Sequence, residues 1–133
     1  MPDIPADLRY SQDHLWARRG DSAGRVRIGV TEFAQQSLGD VVDVSLPAPG
    51  GTVEAGQPFG DIESVKSLND LIAPVTGTVA TRNDALAQAP GLVNSDPYGD
   101  GWMADIETDP ASLSQQLASL LDASGYRDLV GRS

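Results

Sequence analysis

The sequence predicts a mainly β fold with one short helix near residues 32–38 and a C-terminal helix near 110–124. Three observations lead there. Apolar residues alternate with polar ones at a period of two, most clearly in Arg25-Val26-Arg27-Ile28-Gly29-Val30, the period of a half-buried strand. The 14 glycines and 9 prolines gather largely between such segments, as turn formers do. Helix punctuation stands at two places: Thr31-Glu32 with Gly39 behind it, and Asp109-Pro110 ahead of spaced leucines. At 133 residues and 40% hydrophobic content, the chain can bury one core and is short for two. We expect a single domain over 1–133, with a core of about 10–107 and a helical segment of about 109–131.

Taken in order, residues 1–9 form an extended lead-in rich in Pro and Asp. The first strand lies in Tyr10–Arg19, where His14 and Trp16 are two apart and so expected on one face. Gly20-Asp21-Ser22-Ala23-Gly24 turns the chain into the strand of Arg25–Val30, with Val26, Ile28 and Val30 inward. Thr31 caps a helix of about two turns ended by Gly39. Asp40–Leu46 follows as a strand with Val42, Val44 and Leu46 on its inner side. Pro47-Ala48-Pro49-Gly50-Gly51 closes it, and Ala48–Val53 is echoed by Ala73–Val79. Residues 82–90 read as a loop with a short helical turn, 91–101 as dense turns and Trp102–Ile106 as the last strand. The closing helix carries Leu113, Leu117, Leu120 and Leu121 as its apolar stripe and stops at Gly125. Tyr126–Val130 is a short amphipathic finish.

Composition removes several function classes. A formal charge of −10 opposes binding to nucleic acid or an anionic membrane. No apolar run approaches the ~20 residues of a membrane span, and Met1–Asp7 lacks the basic start and apolar middle of a secretory signal. The expectation is a soluble, monomeric protein of a bacterial cytoplasm. With no cysteine, disulfides, thiolate catalysis and cysteine-held metals are excluded. Redox sulfur, if handled at all, must arrive on an attached group. Asp96 and Asp100 lack the alternating oxygen ligands of a calcium loop, so no metal site is expected.

One stretch concentrates the remaining chemistry. Phe59–Glu63 and Leu68–Ala73 read as two strands around the polar centre Ser64-Val65-Lys66-Ser67. Lys66 is the only lysine; the other eight cations are arginines. A guanidinium stays protonated and is a poor nucleophile, whereas an ε-amine can lose a proton and accept an acyl group. An acylable amine has thus been kept at one place, a turn tip. Exposed lysines on turns usually serve only solubility, so the surrounding motif has to decide.

Glu63-Ser64-Val65-Lys66-Ser67 followed by Leu71-Ile72-Ala73-Pro74-Val75-Thr76-Gly77-Thr78-Val79 resembles the lipoyl-attachment hairpin of the glycine cleavage system H proteins. The likeness spans nearly the whole chain: Tyr10, His14 and Trp16; Gly29–Gln35; Leu38–Val42; Leu46-Pro47; and Gly91-Leu92-Val93-Asn94 through Asp96-Pro97-Tyr98 to Gly101-Trp102. Biotin carriers usually flank their lysine with methionine, and here the neighbours are Val65 and Ser67.

The resemblance implies a barrel-sandwich hybrid, the lipoyl/biotinyl-like hairpin domain, built on a pseudo-twofold pair of short sheets with the lysine at one end. It implies lipoic acid in amide linkage on Lys66, with Glu63, Ser64, Val65 and Asp70 as further cofactor-site residues. Glu63 would be read by the lipoylating enzyme, a lipoate ligase or a lipoyl/octanoyl transferase. Asp70 matches a position at the cleft into which the loaded arm folds, and Asp61 is left open. The implied protein is a non-catalytic carrier in glycine catabolism and one-carbon metabolism. It would shuttle aminomethyl from glycine decarboxylase to aminomethyltransferase, and reducing equivalents to dihydrolipoamide dehydrogenase. The alternatives are a lipoyl relay and an unlipoylated H-like interaction module. An enzyme using His14 and a carboxylate is disfavoured by a single histidine, no cysteine and no G-x-S-x-G elbow. Two departures stand out: many members have Glu where this chain has Leu15, and some have His where it has Phe33. Both make the expected docking cleft more apolar.

Overall fold

The alternating segment at 25–30 forms the centre of a six-stranded antiparallel sheet. A computed structural model of the chain describes residues 3–20 and 22–131; Asp21 of the expected turn and the ends of the chain fall outside that range. Strands β1 (Arg9–Tyr10), β2 (Leu15–Arg19) and β3 (Arg25–Val30) are followed by helix α1 (Glu32–Leu38), β4 (Val41–Ser45), β5 (Thr52–Val53), β6 (Pro58–Ser64), β7 (Leu68–Ile72) and β8 (Gly77–Arg82). Two short helices, α2 (Ala85–Gln88) and α3 (Leu92–Ser95), lead to β9 (Ala104–Glu107), and α4 (Pro110–Ser119) and α5 (Ala123–Gly131) finish the chain. The larger sheet runs β1-β2-β3-β9-β8-β5, and a three-stranded sheet runs β4-β6-β7. The sheets are therefore unequal where the resemblance implied a pseudo-twofold pair. The echoed segments do meet, because Thr52-Val53 pairs antiparallel with Gly77-Thr78.

The inner face of the large sheet buries Val26, Ile28, Val79 and Ile106 against Leu113 and Leu117 of α4. Between the two sheets lie Leu15, Val30, Val41, Ile62, Leu71 and Met103. A third apolar group joins Leu8, Tyr10 and Trp16 to Ala123 and Tyr126 of α5. Trp16 stands opposite Gly29 in the β2–β3 register. A Cβ at Gly29 would come within 2.7 Å of the indole, so only glycine lets that ring lie across the strand.

Three expectations are corrected by the observed backbone pairing and turns. His14 does not share a strand face with Trp16: it precedes β2 at φ +69°, in a turn closed by Ser11, whose carbonyl accepts from His14 and whose hydroxyl accepts from Leu15 N–H at 3.1 Å. Val42 does not point inward, because a bulge between Val41 and Asp43 advances the strand by one residue; Val41 takes the buried place and Val42 is 48% exposed. The C-terminal helix expected to reach 124 ends at Ser119, since Leu121 exchanges two backbone hydrogen bonds with Tyr10 at 2.8 Å each. Asp122 then starts α5, accepting from Gly125 N–H at 2.8 Å, so Gly125 lies inside a second helix rather than at the end of the first.

Candidate functional site

The β6–β7 hairpin carries Lys66 at its tip, where local chemistry fixes the turn. Glu63 pairs with Leu68, leaving four residues to reverse the chain. Ser64 is 5% exposed; its hydroxyl oxygen accepts from Lys66 N–H at 3.2 Å and Ser67 N–H at 3.3 Å, while its own N–H donates to Ser67 O at 2.8 Å. Ser64 thus shapes the turn, as serine does in such loops. Val65 N–H donates to Asp40 O at 3.0 Å, tying the tip to the corner between α1 and β4.

That corner is itself clamped. Asn94 of α3 donates to Gly39 O at 2.8 Å and Gln35 Oε1 at 3.0 Å, and accepts from Val41 N–H at 2.9 Å. Gly39 adopts φ +78° as the C-cap of α1, and the Lys66 Cε lies 3.3 Å from where a Cβ there would stand. The lysine side chain is exposed and rests over the end of α1. Among the described residues no carboxylate pairs with its ammonium.

The tip is also where apolar side chains face water. Among the described residues the exposed large hydrophobic ones are Val42, Val65 and Leu68, at 48%, 67% and 66%, all on the small sheet or its turn. Between them, Asp43 stands opposite Glu63 and Asp61 opposite Asp70 in strand register. Sequence reasoning selected Glu63, Val65 and Asp70; it missed Val42 and Leu68, for which only the bulge and the register give the signal. Asn94 belongs to the Gly91–Asn94 motif, but its clamp on Gly39, Gln35 and Val41 joins segments more than fifty residues apart and leaves no local signal.

At the foot of the hairpin, between β7 and α1, opens a cleft of about 320 Å³. Its walls are Leu15, Val30, Phe33, Ala34, Leu38, Ile62 and Leu71, with Asp13, His14, Ser37, Asn69 and Asp70 as its polar residues. Both departures from the family pattern, Leu15 and Phe33, line it. His14 packs against Phe33 with ring centroids 4.9 Å apart. Burial pushes the imidazole pKa below its ordinary 6.5, partly opposed by the neighbouring Asp13 carboxylate. Its Nδ1 lies 2.8 Å from the phenol of Tyr126, whose own pKa burial raises to about 12. Among the described residues no group of three or more His, Cys, Asp or Glu could hold a metal ion. Asp96 accepts from Asp100 N–H at 2.9 Å, a turn-closing role.

The site is thus one lysine on a braced turn with an apolar cleft below it. The glycine cleavage H-protein family model matches residues 8–132. The chain belongs to the glycine cleavage H-protein family. It is 54% identical over 128 residues to the glycine cleavage system H protein of Mycolicibacterium vanbaalenii, covering 96% of each chain. With the H protein of Mycobacterium avium it shares 53% identity over 129 residues, again 96% of each. The crystal structure of the H protein from Mycobacterium marinum superposes with a TM-score of 0.84 at 39% identity, covering 96% of this chain and 99% of that one. No helix among the described residues is long and apolar enough to cross a membrane.

Proposed function

We propose that Lys66 carries a lipoyl group in amide linkage, and that the chain shuttles an aminomethyl group from a glycine decarboxylase to an aminomethyltransferase, and electrons to a dihydrolipoamide dehydrogenase. The observation that carries this is the pairing of one exposed lysine with a cleft whose mouth begins at the same hairpin. Bound there, the lipoyl group supplies a disulfide that can accept two electrons and the one-carbon unit together.

The chain's own residues then have separable tasks. Ser64, Asp40 and Asn94 hold the tip so that the exposed Lys66 side chain, resting over the end of α1, presents its ε-amine to solvent for acylation. Glu63 and Asp43 present carboxylates, and Val42, Val65 and Leu68 apolar contacts, to a lipoate ligase or a lipoyl/octanoyl transferase; of these, Glu63 is the recognition residue. An amide arm from the Lys66 Cα spans roughly 15 Å, which lets one tether serve several active sites at raised effective concentration. Between visits, Leu15, Phe33 and Leu71 exclude water from the cargo, while the Asp13 and Asp70 carboxylates favour its ammonium. With Leu15 and Phe33 in the walls, protection rests chiefly on burial.

Reconstitution tests the reading. Glycine-dependent reduction of NAD⁺ by the three enzymes should require the lipoylated chain, and should be absent with the unmodified chain or Lys66→Arg. Turnover supported equally by Lys66→Arg contradicts it.

A further inference from the structure

Behind the cleft, and joined to it through His14, runs a hydrogen-bond relay that a carrier of an arm does not by itself require. Thr31 Oγ1 accepts from Ala34 N–H at 3.2 Å as the cap of α1 and lies 2.7 Å from the Tyr126 hydroxyl, which lies 2.8 Å from His14 Nδ1. The proton count gives the relay a direction. Thr31 is 0% exposed, and a buried hydroxyl proton without an acceptor is costly. If the Thr31 hydroxyl donates to Tyr126 and Tyr126 donates to His14 Nδ1, every proton is placed. The reverse order leaves the Thr31 proton unpaired. Burial disfavours the charged imidazole, partly opposed by Asp13, and a Tyr126 hydroxyl proton directed at Nδ1 makes that nitrogen the acceptor of the ring.

Helix α1 measures how far this relay lies from the attachment point. Lys66 rests over Gly39 at the C-terminal end of α1, and the relay holds Thr31 at the N-terminal end. Eight residues of helix span roughly 12 Å, close to the arm's length. Asn69 and Asp70 of the hairpin line the same cleft as His14, so an arm counted from the Lys66 Cα and swung off Gly39 into that cleft brings its far end to His14. There the ammonium of an aminomethyl cargo is a donor suited to Asp13 and Asp70, and the remaining heteroatoms are sulfur acceptors.

Resting on the docking reading above, we propose that His14 is held as the Nε2–H tautomer and donates a hydrogen bond to a sulfur of the loaded, reduced arm in the cleft, with Tyr126 of α5 as its positioning residue. The C-terminal helix is then part of the cargo site although it lines none of the cleft. Its phenol sets the tautomer of one wall and the cap of the other.

His14 is the only histidine in the chain, so its two ring nitrogens can be followed in the ¹⁵N-labelled, tag-free protein by long-range ¹H–¹⁵N NMR. The unmodified chain should show a proton on Nε2 and a bare Nδ1. Loading the dihydrolipoyl form with formaldehyde and ammonia should shift the Nε2–H, and an octanoyl group on Lys66, which has no sulfur, should not. Tyr126→Phe keeps the ring stack on Tyr10 (centroids 4.6 Å apart) while removing the relay; its tautomer should become mixed, and its loaded arm should release formaldehyde about 2- to 10-fold faster. A proton on Nδ1 in the parent, an Nε2–H unmoved by loading, or an equal shift with octanoyl overturns the assignment. Backbone amides of Phe33, Ala34 and Leu71 report docking separately. If they move and the His14 ring does not, the inference falls and docking stands; if they too stay still, docking itself has failed.

Discussion

The two sheets treat charge in opposite ways. On the six-stranded sheet, Arg25 stands opposite Glu107 and Arg27 opposite Asp105, with ion-pair distances of 3.0 and 2.9 Å. The Arg27 guanidinium also lies 3.9 Å over the Trp102 ring, and Thr81 donates to Asp105 at 3.0 Å. On the three-stranded sheet the same register positions oppose Asp43 to Glu63 and Asp61 to Asp70, and among the described residues no arginine or lysine pairs with them. Like charges directly across a strand pair are destabilising by roughly 0.2–1 kcal/mol. The large sheet is thus arranged for stability. The small one tolerates a cost and leaves Val42, Val65 and Leu68 exposed, as the partner-facing surface proposed above would.

The sharpest break between the two is a reciprocal pair of variants. Lys66→Arg should abolish lipoylation altogether, read by intact mass after incubation with ligase, lipoate and ATP, and should leave the urea midpoint unchanged, since surface substitutions usually fall within about 0.5 kcal/mol. Ile106→Ala, at a fully buried place on the large sheet, should cost roughly 2–5 kcal/mol in denaturant titration while its folded fraction is still lipoylated. Loss of acylation in the folded Ile106 variant would dissolve the division of labour.

A smaller effect tests the carboxylates. Glu63→Gln relieves the opposition to Asp43 and should stabilise the fold by about 0.2–1 kcal/mol, while raising the KM of the lipoylating enzyme severalfold with kcat unchanged. Destabilisation instead would show that the carboxylate serves the sheet.

The smallest effect is in pH. Because burial lowers the His14 pKa below 6.5, the unfolded chain takes up its proton first as pH falls. The stability due to neutral His14 is complete above pH 6.5 and is lost as the pH drops from there through the folded value. His14→Asn, which keeps a residue tolerant of positive φ, should flatten this part of the stability curve. Equal slopes in the two proteins would remove His14 from the account.

What was legible in the sequence is what local chemistry decides. The alternation at 25–30, the Thr31 and Asp109 caps, the Gly39 terminus and the strand-turn-strand around Lys66 each depend on residues a few positions apart, and the structure has them. The helix break at Leu120 depends on a backbone pairing with Tyr10, more than a hundred residues away, and left no local mark. Val42 was placed inward because a bulge adds one residue to a pattern that otherwise alternates. The cleft joins β2, α1 and β7, so its lining had no contiguous signature; Leu15, Phe33 and Asp70 were legible only through the family resemblance. Tyr126 gave no signal at all, being one aromatic in a short amphipathic tail whose partner, His14, lies at the other end of the chain.

The central claim is that Lys66 is an acylation handle, and mass spectrometry of the protein from lipoate-replete cells meets it most directly. Intact mass should exceed that of the bare chain by one lipoyl group, and peptide mapping should place the increment on the segment containing Lys66. An unmodified mass in cells with a competent lipoylating enzyme, or an increment elsewhere, contradicts the account.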